Sequence, residues 1–112
     1  MMSQPLSKNA QPSGHRPGDV VPTFRLLIVD DEDTIREGLV GYLENYHEAP
    51  EQYPYKLLID SCENPTIARQ FLADNQYDLV ISDINMPEED GFSLLKFIRA
   101  TYPGTRTALI TA

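Results

Sequence analysis

Two adjacent acids, Asp30 and Asp31, end the apolar run Phe24-Arg-Leu-Leu-Ile-Val29, and a third, Asp83, ends the run Tyr77-Asp-Leu-Val-Ile-Ser82. Asn85 follows two residues after Asp83, and Thr111 ends the run Thr107-Ala-Leu-Ile110. Three carboxylates brought to one place repel each other strongly unless a cation neutralises them. The set offers hard oxygens with no imidazole or thiolate, which selects Mg²⁺ over zinc or copper. A carboxylate beside such an ion can attack a phosphoryl group and hold it as an aspartyl phosphate. Thr111 is placed to give a hydroxyl hydrogen bond to a phosphoryl oxygen.

That chemistry requires the ends of the apolar runs to share one edge of a sheet. The run from Phe24 to Val29 reads as a strand buried on both faces, typical of a parallel sheet. A helix follows, with Asp33 as its N-cap and with Ile35, Leu39, Tyr42, Leu43 and Tyr46 at helical spacing. Pro50 and Pro54 mark a loop, and Tyr55-Lys-Leu-Leu-Ile59 reads as a second strand. Asn64-Pro65 is an N-cap followed by proline at the first helical position, ahead of Ile67, Ala68, Phe71 and Leu72. The third strand ends at Asp83, and Met86-Pro-Glu-Glu-Asp-Gly91 is a turn-rich loop. Phe92, Leu95, Ile98 and Tyr102 form a third helical stripe, broken by Pro103-Gly104, and Thr107 to Ile110 is a fourth strand.

The order β-α-β-α-β-α-β predicts a three-layer α/β/α fold around a doubly wound parallel sheet. Ligands of such sheets sit beyond the carboxyl ends of the strands, where Asp30, Asp31, Asp83, Asn85 and Thr111 fall. Asp60 and Ser61 end the second strand, but an outer strand places them away from that point. No glycine-rich phosphate loop follows any strand, so a nucleotide-binding version of the fold is unsupported.

The 112 residues allow one small domain. Seventeen acids against nine bases give a net charge of −8, which leaves no electrostatic footprint for nucleic acid or an anionic membrane. No run approaches a membrane span, and the N-terminus lacks the apolar core of a signal peptide, so the expected location is cytoplasmic. Residues 1–22, with Pro5, Pro12, Pro17 and Pro22 and few apolar side chains, read as a flexible tail before a domain at 23–112. The single cysteine, Cys62, reads as a small, partly buried side chain rather than a reactive thiol. His47 and the run Glu88-Glu89-Asp90 read as solvated, and Tyr42, Tyr46, Tyr53 and Tyr55 as packing around the loop.

Leu26-Leu-Ile-Val-Asp-Asp-Glu32 resembles the first strand and acidic pair of response-regulator receiver domains. Asp78-Leu-Val-Ile-Ser-Asp-Ile-Asn-Met-Pro87, followed by Asp90-Gly-Phe92, resembles that family's phosphoacceptor segment, and Leu109-Ile-Thr-Ala112 its hydroxyl segment. The resemblance covers Phe24 to the C-terminus. It implies a flavodoxin-like sheet and roles for each residue. Asp83 would accept a phosphoryl group from a sensor histidine kinase or a phosphotransfer protein. Asp31 would bind Mg²⁺ directly, Asp30 through water, and Asn85 through its backbone carbonyl. Thr111 would move toward the phosphoryl group, and Pro87 and Gly91 would shape the loop.

The sequence departs from the family pattern in two places. It stops after the fourth strand, so the sheet is expected in the order 2-1-3-4 with the fifth strand absent. The family's lysine and its aromatic switch residue are absent with it. The exposed fourth strand would then invite homodimers or strand exchange. The loop before the second strand is also longer than usual. The leading expectation is a non-enzymatic phosphoacceptor domain of a two-component system. A phosphorylation-independent interaction module is the alternative, favoured by the absent lysine. A phosphohydrolase is disfavoured because Asn85 stands where such enzymes carry a general acid.

Overall fold

A strand covered on both faces must be apolar on both, and β1 (Thr23–Val29) meets this over its C-terminal half: Leu26, Leu27, Ile28 and Val29 are at most 4% exposed. The computed structural model describes residues 22–46 and 55–111. The tail read over 1–22 lies outside the described residues except for Pro22, as do His47 and Tyr53 of the loop.

The chain continues through α1 (Asp33–Tyr46), β2 (Lys56–Cys62), α2 (Pro65–Asp74), β3 (Leu79–Asp83), α3 (Gly91–Thr101) and β4 (Arg106–Ile110). The four strands are parallel, in the order β2-β1-β3-β4. Placing β1 and β3 side by side aligns Val29 with Ser82, so both strands end at the same edge. Asp83 lies opposite Ile110 in β4.

Strand alternation sorts the two faces. Leu27, Val29 and Val80 join Ala68 and Leu72 of α2, Leu94 and Ile98 of α3, and Tyr77 and Met86 in one core. Leu26 and Ile28 point to the opposite face, and α1 packs on β1 and β2. Asn64 caps α2 by accepting a hydrogen bond from the Ile67 amide at 2.8 Å, with Pro65 in the first turn, as the sequence predicts. Asp90 caps α3 through the Ser93 amide. Among the described residues no helix is long and apolar enough to cross a membrane.

Local readings differ from the structure in four places. β2 runs three residues past Ile59, because Asp60, Ser61 and Cys62 keep pairing with β1 to its end. Asp33 is not the cap of α1 but its first helical residue, where its carboxylate takes the Arg36 guanidinium. The buried stripe of α3 is Gly91, Leu94 and Ile98, while Phe92 is half exposed. Gly91 offers no apolar side chain to a periodicity reading, so the stripe is displaced toward Phe92. Finally, Glu88 and Asp90 are exposed as the sequence predicts, but Glu89 between them is half-buried and paired with Arg69.

Candidate functional site

The site is built by the abrupt end of two neighbouring strands. β1 stops at Val29 and delivers Asp30 and Asp31, and β3 delivers Asp83 as its last residue. One carboxylate oxygen from each of the three lies within 4.8 Å of the others. Asp30 is buried at 2% exposure, and Asp31 and Asp83 are half-buried.

Asp30 is held from several sides. Its amide donates to the Cys62 carbonyl of β2 at 3.1 Å, and its Oδ1 accepts from the Glu32 amide at 2.9 Å. The Arg36 guanidinium, itself buried, donates Nη1 to the Asp30 carbonyl at 2.7 Å and pairs through Nη2 with Asp33. Burial raises the Asp30 carboxyl above the ordinary carboxylate value, and the charges of Asp83 and Asp31 raise it further. The Glu32 amide and Arg36 act in the other direction.

An acid set strained by its own charge, made of hard oxygens and open on the Asp31 and Asp83 side, suits a small divalent cation. The residues present therefore fit Mg²⁺.

The other predicted residues flank this cluster. Asn85 is exposed, and its amide lies 3.4 Å from Asp83 Oδ1. The Ile84 amide donates to the Ile110 carbonyl at 3.1 Å, tying the segment after Asp83 to the end of β4. Thr111 is the next residue of that strand end, exposed and outside the acid cluster. Asp60 stays away from the site, as an outer strand requires. It accepts the Tyr77 hydroxyl and faces Arg25 at 3.4 Å. A cleft at the other end of the sheet, lined by Leu72, Asn75, Tyr77, Asp78, Tyr102 and Thr105, holds none of the site residues.

Sequence reasoning gave Gly91 only as a loop-shaping residue of the resemblance and passed over Arg36. A Cβ on Gly91 would sit 2.3 Å from the Asp83 carbonyl oxygen, so a side chain there would displace the end of β3. The signal for Arg36 was its place three residues after Asp33, one helical turn on. Cys62 is buried, and burial pushes its thiol up to about 11, in keeping with a packing residue.

The sequence profile of the response regulator receiver domain matches residues 26–112. The response regulator protein PilR of Pseudomonas aeruginosa is 36% identical over 88 residues, which cover 79% of this chain and 18% of PilR. The chain thus spans a minor part of that relative's length. The structure of the response regulator TrrA from Thermotoga maritima, solved in complex with Mg²⁺–BeF, superposes with a TM-score of 0.68 at 35% identity, covering 80% of this chain and 70% of TrrA. TrrA in a complex with the histidine kinase ThkA gives a TM-score of 0.67 at the same identity, with 80% and 69% covered. A match of this extent, on a sheet of order β2-β1-β3-β4 with three acids at its edge, settles the family: the chain belongs to the response regulator receiver domains.

Proposed function

We propose that this domain accepts a phosphoryl group on Asp83 from the phosphohistidine of a sensor histidine kinase or a phosphotransfer protein. The observation that carries the reading is the convergence of Asp30, Asp31 and Asp83 at the shared end of β1 and β3. Asp30, Asp31, Asp83 and the backbone carbonyl of Asn85 would hold Mg²⁺. Bound there, the ion offsets the acids' repulsion and polarises a phosphoryl oxygen.

Within the step, an Asp83 carboxylate oxygen attacks the phosphorus in line with the nitrogen it leaves. The O–P bond forms as the N–P bond breaks, and the imidazole nitrogen departs with the electron pair and takes up a proton. Asp83 is half-buried and still reachable, as a nucleophile toward a second protein must be. Thr111 donates its hydroxyl to the phosphoryl group, and the Ile84–Ile110 hydrogen bond keeps its strand end beside Asp83. The domain is modified rather than turning over a substrate, and Asn85 supplies no acidic proton two residues after the acceptor. Such a relay places the chain in the cytoplasm, with residues 23–112 as the phosphoacceptor unit.

Labelling with acetyl phosphate and Mg²⁺, followed by mass spectrometry of peptides, tests this. The expected result is a single added phosphoryl group on Asp83 that is absent from Asp83→Asn. Labelling retained in that variant would sink the assignment. A second reading, phosphorylation-independent pairing through β4, has one observation in its favour: among the described residues β4 pairs only with β3, and Ala108, Leu109 and Ile110 are half-buried. It predicts a dimer by light scattering whether or not acetyl phosphate is present.

A further inference from the structure

The segment from Ile84 to Asp90 carries Asn85 and must hold still for Asp83 and its neighbours to keep their geometry. Its ends are fixed by the sheet and by α3: the Gly91 amide donates to the Ile84 carbonyl at 2.8 Å, and Asp90 caps α3. Its middle is fixed by Met86, buried in the core, and by two contacts to α2. Thr66 Oγ1 lies 3.5 Å from Glu88 Oε1. Arg69 grips Glu89 with both arms of its guanidinium, at 2.5 and 2.8 Å.

That grip differs from an ordinary surface ion pair. Exposed pairs contribute little as a rule, because two long side chains must be ordered for one screened contact. Here the contact is bidentate, and the guanidinium lies over the Phe97 ring at 4.6 Å. The Arg69 side chain is 35% exposed and that of Glu89 22%. The hydrogen bonds from Arg69 hold the Glu89 carboxyl below its ordinary value. One side chain of α2 therefore touches both the loop after Asp83 and a ring of α3.

We propose that Arg69 is a positioning residue for the phosphoacceptor site. By clasping Glu89 and resting on Phe97, it fixes the loop that presents Asn85 beside Asp83. The proposal rests on the phosphoacceptor reading above for its consequence in Mg²⁺ binding, but the placement of Asn85 can be read without metal.

The test uses the full chain with Arg69→Ala, Glu89→Gln and the double variant, followed by two-dimensional amide NMR. In metal-free buffer, both single variants should shift or broaden the Ile84 and Asn85 amides. Titration with Mg²⁺ should show affinity weakened about tenfold in each, the lower end of what lost supporting contacts cost a metal site. The double variant should be no weaker than either single one, since both remove the same contact. Arg69→Lys keeps the charge without the fork and should recover only part of the loss. Tyr77→Phe, which removes a contact away from this loop, should leave Mg²⁺ affinity unchanged and so separates positioning from general loss of stability. Unchanged Ile84 and Asn85 amides in Glu89→Gln, whose side chain keeps the same shape, would overturn the clasp. Those amides shifting while Mg²⁺ affinity stays at the wild-type value would overturn its role at the site. A wild-type chain that binds no Mg²⁺ would overturn the phosphoacceptor reading itself, and the metal-free amides would still report on the clasp.

Discussion

Gly91 offers the sharpest link between packing and the site. It opens α3 with its Cα against the end of β3. A methyl group there would lie 2.3 Å from the Asp83 carbonyl oxygen and 2.9 Å from Leu109 Cδ2. The leucine can turn, but the carbonyl is backbone, so α3 and β3 must separate by about 0.7 Å to reach the 3.0 Å that real Cβ contacts respect. Overpacking of this kind costs ~1–3 kcal/mol, and a backbone partner puts Gly91→Ala toward the upper end. Alanine regains part of the up to ~1 kcal/mol that glycine costs inside a helix, leaving a net loss of about 2 kcal/mol. For a domain of this size that lowers the midpoint of thermal unfolding by roughly 10 °C. Gly38 and Gly41 supply the control, since a Cβ on either meets nothing within 4 Å. Alanine at either position in α1 should stabilise by ~0.5 kcal/mol. Circular dichroism melts of the three variants decide the matter. A Gly91→Ala chain as stable as the wild type would refute the close approach by which this glycine lets α3 meet the end of β3.

Two further outcomes follow from the buried polar groups. Asp30→Asn should raise the urea midpoint of the metal-free chain at pH 7, because the native carboxyl sits above its ordinary value of 3.8 and its charge is opposed by burial, Asp83 and Asp31. The native state holds this proton more tightly than the unfolded state, so stability falls as pH rises from 3.8 through the native value; the variant's advantage should vanish below about pH 4. An equal advantage at pH 3 and pH 7 would contradict that origin. Tyr77→Phe leaves Asp60 without its hydroxyl donor, at 2.5 Å, and should cost ~1.5–3 kcal/mol by urea unfolding; a loss under a few tenths would mean that water replaces the hydroxyl.

Much of this fold is legible in the sequence. Each apolar run that ends in Asp or Thr became a strand, and the acids fell at one edge because β1 and β3 are neighbours in register. Apolar runs and breakers are local signals, and they carried the element order. The readings that failed depend on contacts distant in sequence. Asp60, Ser61 and Cys62 look like a strand's end, yet pairing with β1 extends β2 over them. Gly91 carries no hydrophobic signal, although its lack of a side chain sets which face of α3 is buried. Glu89 lies twenty residues from Arg69 in a run of acids, and only the packing of α2 beside the loop shows that it is clasped.

The central claim is that the acids at the ends of β1 and β3 form a phosphoacceptor site. Its most direct test is the amide NMR spectrum of the chain before and after Mg²⁺ with beryllofluoride, a phosphoryl mimic. The account predicts dispersed peaks whose shifts concentrate at Asp30, Asp31, Asp83, Asn85 and Thr111 and disappear in Asp83→Asn. Shifts confined to another surface, or a spectrum that does not respond, would contradict it.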